Sequence, residues 1–464
     1  MMTDLTINFT KNQPLYQQLY VHIKNDILIG KRIAGEKLPS KRKLSTLLNV
    51  SLNTVDAAYQ QLLAEGYIES RPRRGLFINE IEPTHPFGQA SHFQHKPITK
   101  QPDKLINFSQ GDIDLEHFPH KAWRKCTIAA LDNPQSLQLG ENMGEIELRN
   151  QIADYLYRAR GVRCTGEQVI IGAGTQALLQ RLLYLFPKGS TIAMEDPGFH
   201  RASLIFKQAG MEVVPIPVRE HGIDVDQLDL LTSTINLVYC TPSHQFPLGM
   251  IMPVQQRQKL IQWANDNDGF IIEDDYDGEF RYEGKPIPSL QGLDSYGKVI
   301  YLGTFSKSLI PSLRVNYMVL PEPLLEKYKQ ELFYIKQTVS KIHQLTISLF
   351  IKEGHWDKHI NKMRTLYRKK RETVIESLNH YFDTEKVIIK GEKSGLHVVI
   401  EFLDSSYTEL ELIELARKKG LKVYGTSLFY ETVDYRNPEI LLGYSGLSIV
   451  EIERGIKHLS EVWI

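Results

Sequence analysis

The sequence predicts an α/β protein in two parts, a small helical module in front of a large domain built on a mostly parallel sheet. Three observations carry this. From residue 169 onward short apolar runs alternate with helical patterns: Val169–Ile171, Thr191–Met194, Glu212–Ile216, Leu237–Cys240, Phe270–Ile272, Val299–Leu302 and Asn316–Leu320. That alternation marks strands joined by crossover helices. Between residues 15 and 64 apolar residues recur at helical spacing instead. Between these regions, residues 81–104 show no apolar periodicity and carry several prolines and glutamines with His85, His92 and His95, the composition of a flexible tether rather than of a metal site. The expected division is 12–80, a linker at 81–104, and 105–464, with a smaller α+β subdomain from roughly residue 321.

Composition narrows the class. With 42% hydrophobic and 24% charged residues in 464, the chain is an ordinary globular protein with enough apolar material for a large core. Cys126, Cys164 and Cys240 are odd in number and far apart, so neither a disulfide framework nor a cysteine-built metal site is expected. No run approaches the length of a membrane span and the first twelve residues lack a signal peptide's apolar stretch. The expectation is a cytoplasmic protein with no membrane partner. Formal charge is zero overall, but residues 1–80 hold 11 Lys and Arg against 7 Asp and Glu. A basic front on an acidic body points to an anionic partner.

In the front module, Leu15, Leu19, Ile23, Ile27 and Leu28 predict a first helix ended by Gly30. Ser40 is a natural N-cap for a second helix carrying Leu44, Leu47 and Leu48. After the turn at Asn49–Ser51, a third runs from Asn53 to Ala64 with Val55, Ala58, Tyr59 and Leu62 inward. Two short helices across a tight turn make a helix-turn-helix, and residues 66–78, with Arg71, Arg73 and Arg74 near their middle, read as a two-stranded wing with a basic tip. In such a module the helix starting at Ser51 enters the major groove of double-stranded DNA. Ser51, Asn53 and Thr54 then sit beside bases or phosphates, and Lys41, Arg42 and the wing arginines meet phosphates. Gly35-x-x-Leu38-Pro39-Ser40-x-Arg42-x-Leu44, Val50-Ser51-x-x-Thr54-Val55 and Ala58-Tyr59-x-x-Leu62-x-x-Glu65-Gly66-Tyr67 resemble the GntR-type winged helix-turn-helix. Leu52 stands where that family usually has arginine, so one operator contact is expected to be missing.

In the large domain, motifs fall at strand C-terminal ends, where α/β sheets bind ligands. Gly172-Ala173-Gly174-Thr175-Gln176 leads a strand into a helix, whose free N–H groups can cradle a phosphate. Phe199, after Asp196-Pro197-Gly198, can stack on a planar ring or pack in the core. Asp274 and Tyr276, in Glu273-Asp274-Asp275-Tyr276-Asp277, can pair with a protonated pyridine nitrogen and a phenolate oxygen, or the carboxylates can hold a magnesium ion. Lys307 follows the strand Val299–Leu302 between Ser306 and Ser308, with Thr304 nearby and Arg314 seven residues on. Read alone it is a common loop lysine; beside the others it completes the contacts pyridoxal 5'-phosphate requires, as the Schiff-base lysine.

The order and spacing of these motifs resemble the class I aminotransferases of fold type I over nearly the whole large domain. With the winged helix in front, the chain resembles the MocR-type regulators, a group with vitamin B6-responsive (PdxR-like) and GABA-responsive (GabR-like) members. The resemblance implies a domain-swapped homodimer with Lys307 covalently joined to the cofactor. It also implies Asp274 at the pyridine nitrogen, Tyr276 at O3', and Gly174, Thr175, Gln176, Thr304, Ser306 and Arg314 around the phosphate, with Phe199 as the stacking ring. Three departures from a working aminotransferase stand out. Phe246 replaces the asparagine before Pro-x-Gly, Leu139 replaces a tyrosine that reaches the neighbour's phosphate, and Leu441 replaces the arginine that grips a substrate's α-carboxylate. Leucine cannot supply that bidentate contact. Expected from this is a sensor of pyridoxal phosphate rather than an enzyme, controlling vitamin B6 biosynthesis genes. The alternatives are a regulator responding to a small amine such as GABA, with Arg201 on its anionic group, and a true aminotransferase with a DNA-binding appendage.

Overall fold

The computed structural model describes residues 7, 9–10, 13–81, 105–231, 235–282, 287–432 and 436–463. Nearly all of the expected linker, with its three histidines, lies outside the described residues. The chain forms two compact units, residues 1–100 and 101–464.

In the first unit, helices Leu15–Leu28, Lys41–Leu48 and Leu52–Ala64 precede antiparallel strands Ile68–Arg71 and Gly75–Ile78, paired from Ile68↔Ile78 to Arg71↔Gly75. Ser40 caps the second helix by accepting from the Lys43 N–H, and Ser51 caps the third by accepting from the Thr54 N–H. Leu19, Ile23, Leu44, Val55, Tyr59, Leu62, Ile68 and Ile78 close one core. Of the leucines the second helix carries, Leu47 is 61% exposed, and Leu15 and Leu28 of the first helix are exposed as well. The eight-residue second helix presents too narrow a face to bury every leucine it carries.

The second unit is built on an eight-stranded sheet. Its order is Val169–Gly172, Asn316–Val319, Val299–Thr304, Phe270–Asp275, Ile235–Cys240, Thr191–Asp196, Glu212–Arg219 and Gly222–Ile223. From Val299–Thr304 to Glu212–Arg219 every neighbouring pair is parallel, whereas Asn316–Val319 runs antiparallel to both of its neighbours. The central strands are buried along almost their whole length, which is why they read as apolar runs rather than alternating ones. Reversal of Asn316–Val319 matters for the site. It pairs Asn316 with Thr304 on one side and Gly172 on the other, so its first residue joins the C-terminal ends of the parallel strands.

A four-stranded antiparallel sheet, Val387–Lys390, His397–Phe402, Glu439–Gly443 and Tyr424–Gly425, packs with the C-terminal parts of the chain. The smaller subdomain expected from about residue 321 is less simply bounded. Leu324, Leu325 and Tyr328 pack into the core of the large sheet, as do Ile347 and Phe350 on its other face. Ile106 and Phe108 instead join the C-terminal core, and Ile106–Asn107 pairs in parallel with Leu421–Lys422. Periodicity shows that a helix has an apolar face, not which core receives it.

Candidate cofactor cavity and DNA-reading surface

A cavity of about 260 Å³ opens where the strand ends converge, and nine of the ten residues expected around a cofactor line it: Thr175, Gln176, Phe199, Asp274, Tyr276, Thr304, Ser306, Lys307 and Arg314. Arg201 lines it too, with Gln110, Gly111, Thr241, Phe246, Pro311 and Asn316, none of which the sequence singled out as a contact. Gly174 stands behind the wall as the N-cap of the helix Thr175–Leu183, with φ 97°. A Cβ there would lie 2.2 Å from an Arg314 guanidinium nitrogen. Gly174 thus both permits the turn and makes room for the arginine.

One end of the cavity is built for an anion. It combines the start of the helix Thr175–Leu183 with the hydroxyls of Thr175, Thr304 and Ser306 and the guanidinium of Arg314. The Ser306 hydroxyl is buried without a hydrogen-bond partner among the described residues, and Arg314 makes no ion pair among them. The amide of Asn316 and the Thr175 hydroxyl lie 2.9 Å apart, so Asn316 steadies this wall.

Asp274, at the end of the strand Phe270–Asp275, is buried and accepts a hydrogen bond from the Tyr239 hydroxyl. Burial pushes its carboxyl up to about 7; the Tyr239 bond opposes this, while Asp275 and Asp277 add to it. A carboxylate in that state gains from a cationic partner. Lys307 shows the converse: its ammonium hydrogen-bonds the Gln110 carbonyl, and burial pushes it down to about 8 against the pull of Asp277 and Asp112. At such a value a useful fraction of the amine is uncharged and nucleophilic near neutral pH. Burial also pushes the Tyr276 phenol well up, so it stays protonated, with its oxygen 3.0 Å from His244 Nδ1.

Phe199 meets Phe246 edge-on at 6.0 Å. Leu441 is 1% exposed and packs with Phe246 and Val399, against Phe199, Tyr276 and Phe429. An apolar cluster therefore surrounds Leu441, the residue expected in place of an aminotransferase's carboxylate-gripping arginine. Arg201 reaches the cavity from the helix His200–Gln208 and makes no ion pair among the described residues.

On the first unit, Arg42, Asn53, Arg73 and Arg74 are exposed. Arg73 sits at the hairpin tip with φ 60°. Others of the expected DNA contacts are already engaged. Lys41 pairs with Asp56, Arg71 pairs with Glu69 at 2.6 Å and covers the Phe77 ring at 4.5 Å, and the Ser51 and Thr54 hydroxyls lie 2.8 Å apart within the helix cap.

Comparison with known families follows this division. Residues 103–459 match the family model "Aminotransferase class I and II", and residues 15–78 match "Bacterial regulatory proteins, gntR family". The chain is similar to an uncharacterized HTH-type transcriptional regulator of Bacillus subtilis, YdeL, at 47% identity over 98% of each chain. It is 31% identical to the probable rhizopine catabolism regulatory protein MocR of Rhizobium meliloti, covering 99% of this chain and 96% of that one. The chain belongs to the MocR-type regulators.

The HTH-type pyridoxine biosynthesis transcriptional regulator PdxR of Corynebacterium glutamicum is 32% identical over 93% of this chain and 92% of its own. Among solved structures, the multiple substrate aminotransferase of Thermococcus profundus superposes with a TM-score of 0.71 at 27% identity, over 78% of this chain and 92% of its own. The aminotransferase class I fold and the MocR-type family imply that pyridoxal phosphate binds here, and that the front domain binds DNA. The cavity suits such a cofactor: at the anion end a cation and a buried hydroxyl that have no ion-pair or hydrogen-bond partner among the described residues, an amine of lowered basicity, and a buried carboxylate pushed toward its neutral form. Among the described residues, no helix is long and apolar enough to cross a membrane.

Proposed function

We propose that this MocR-type regulator senses pyridoxal 5'-phosphate itself and controls genes of vitamin B6 biosynthesis, binding a double-stranded operator through its front domain. Bound pyridoxal phosphate supplies an aldehyde that condenses with a primary amine. Lys307 is that amine. Thr175, Gln176, Thr304, Ser306 and Arg314 hold the phosphate, with Gly174 making room for Arg314; Asp274 faces the ring nitrogen, Tyr276 donates to O3', and Phe199 stacks on the ring. Capture of the cofactor selects one arrangement of the chain and so changes operator affinity.

The observation that carries this reading is Leu441. Its side chain is buried among Phe246 and Val399 and puts no guanidinium at the place where the resemblance expects one for an α-carboxylate, which argues against sustained transamination as the purpose of the site. Likeness to the PdxR of C. glutamicum over nearly the full chain supports the same reading. We place the protein in a domain-swapped homodimer. Leu137, Leu139, Phe333 and Tyr334 are 76%, 90%, 68% and 61% exposed, large apolar side chains that a second copy of the chain would cover. A second reading, in which a small amine with an anionic group is the effector, is favoured by Arg201, a cation that lines the cavity without an ion pair among the described residues.

The test is an operator titration with pyridoxal phosphate alone and then with candidate amines. A change in DNA affinity on adding the cofactor alone is expected. A response only when amines are also present would overturn the cofactor-sensor reading in favour of the second, and keto-acid production over many turnovers would restore the enzyme.

A further inference from the structure

Behind Tyr276 lies a buried group of side chains that the reading above does not use. His244 and Asp277 are 1% and 2% exposed at their side chains, with His244 Nδ1 2.9 Å from Asp277 Oδ2. His397 is fully buried, and its ring centre lies 4.7 Å from that of His244. The same His244 Nδ1 is the atom 3.0 Å from the Tyr276 hydroxyl.

The proton on each nitrogen follows from the partners. An ionised carboxylate only accepts, so the bond to Asp277 places a hydrogen on His244 Nδ1. That nitrogen then cannot accept from Tyr276, and it meets the phenol oxygen as a second, shared acceptor. With its oxygen occupied as an acceptor on the His244 side, the phenol turns its own hydrogen elsewhere, and Tyr276 lines the cofactor cavity. On the far side, His397 Nε2 lies 2.8 Å from the Pro247 carbonyl, which only accepts, so His397 Nδ1 carries a lone pair. His244 Nε2 and His397 Nδ1 are both buried without a hydrogen-bond partner among the described residues.

We propose that His244, held by Asp277 and backed by His397, is a positioning residue that keeps the Tyr276 hydroxyl a donor aimed into the cavity. The role follows from Phe246. Where an asparagine would give a second donor at that edge of the cofactor, a phenyl ring stands, and its centre is 6.1 Å from that of Tyr276 and 5.9 Å from that of His397. Tyr276 thus bears more of the contact, and its orientation has to be fixed from behind. The ionisable groups that act on Tyr276 and His397 are Asp274, Asp275, Asp277, Glu195, His244 and Lys307, so the network shares its field with the reactive amine.

This inference rests on pyridoxal phosphate binding in the cavity, and the test separates the two. Wild type, Tyr276→Phe, His244→Leu, His244→Asn, Asp277→Asn and the double variant Tyr276→Phe/His244→Leu are titrated with pyridoxal phosphate, reading the visible absorbance band, its dependence on pH and the dissociation constant. If wild type gives no band, the proposed function fails and this inference with it. Given a wild-type band, Tyr276→Phe and His244→Leu are each expected to weaken binding about tenfold, the worth of one buried hydrogen bond, and to move the pH at which the band changes in the same direction. The double variant should be no worse than Tyr276→Phe. His244→Asn, whose amide can donate from near the place of Nδ1, should restore much of the wild-type profile. Should His244→Leu fail to fold, Asp277→Asn carries the test by the same two readouts. Normal binding and pH profile in whichever of these two variants folds, or full additivity in the double variant, would overturn the inference while leaving the cofactor site in place.

Discussion

The front module and the cofactor cavity both hold charged groups set aside for a ligand, but they hold them in opposite ways. On the module, Arg42, Arg73 and Arg74 stand in water, where a charge costs little to keep and little to lose. In the cavity, Asp274 and Lys307 are displaced by burial toward their neutral forms, the carboxyl up to about 7 and the ammonium down to about 8. Water is a poor substitute for the missing partner there. The contrast teaches that a ligand in the cavity relieves a cost already present in the fold, whereas DNA on the module exchanges one hydrated set of charges for another.

The largest effect expected from this contrast falls on Lys307. Lys307→Ala should abolish the visible band formed with pyridoxal phosphate and weaken binding by roughly two orders of magnitude or more, about 3 kcal/mol. Equal bands in both proteins would refute the assignment. In wild type, the rate at which the band appears should rise as pH passes about 8, since the uncharged amine is the reactive form. A midpoint near the ordinary lysine value would show that the amine is less enclosed than the structure has it. Arg314→Ala should come next. Charge-assisted hydrogen bonds are worth about 1.5–3 kcal/mol each, so affinity for pyridoxal phosphate should fall about ten- to a hundredfold, with a smaller loss for pyridoxal, which lacks the phosphate.

Asp274→Asn separates stability from binding. The Asp274 carboxyl has a folded value near 7 against 3.8 for the free group. Its contribution to stability is therefore complete below pH 3.8 and is lost as pH rises through about 7. Asparagine has no such dependence. Without cofactor, the variant should match wild type or fall below it in acid, then gain on it up to neutral pH, ending on the order of 1–3 kcal/mol more stable. Its affinity for pyridoxal phosphate should nonetheless drop about tenfold or more, because a ring-nitrogen cation would lose its counter-charge. Thermal unfolding across pH, with and without cofactor, reads both. A variant less stable at neutral pH without cofactor would mean that Asp274 is already paid for by Tyr239.

How legible each region was in the sequence follows from the range of its contacts. The helix caps at Ser40 and Ser51 and the inward face Val55, Ala58, Tyr59 and Leu62 lie within one or two turns of chain, so spacing alone places them. The cavity motifs were legible where a strand end marks them, as at Gly174–Gln176, Asp274 and Lys307. Asn316 reads in the sequence only as the start of an apolar run, because nothing local shows that its strand runs backwards and brings it beside Thr175 and Thr304. Gln110 escaped for a similar reason: its carbonyl meets Lys307 across 197 residues. His244 and His397 carried no signal beyond two histidines in separate strand-end segments. Burial and pairing of that kind depend on tertiary contacts that periodicity does not report.

The smallest effects are expected on the module, and they grade its cations against one another. Arg42 is exposed, whereas Lys41 is paired with Asp56 across the two helices of the motif. If both meet phosphates, Arg42→Ala should weaken binding to every duplex and lower the salt dependence by about one unit of slope. Lys41→Ala should do less, because its charge is already partly engaged by Asp56. The pair can be turned against this explanation. In an Asp56→Ala background Lys41 is released, so the protein should bind duplexes more tightly, and Lys41→Ala should then cost as much as Arg42→Ala does. If the loss on removing Lys41 is the same with and without Asp56, the ion pair has no bearing on DNA affinity, and the module's charges act as independently as their exposure suggests.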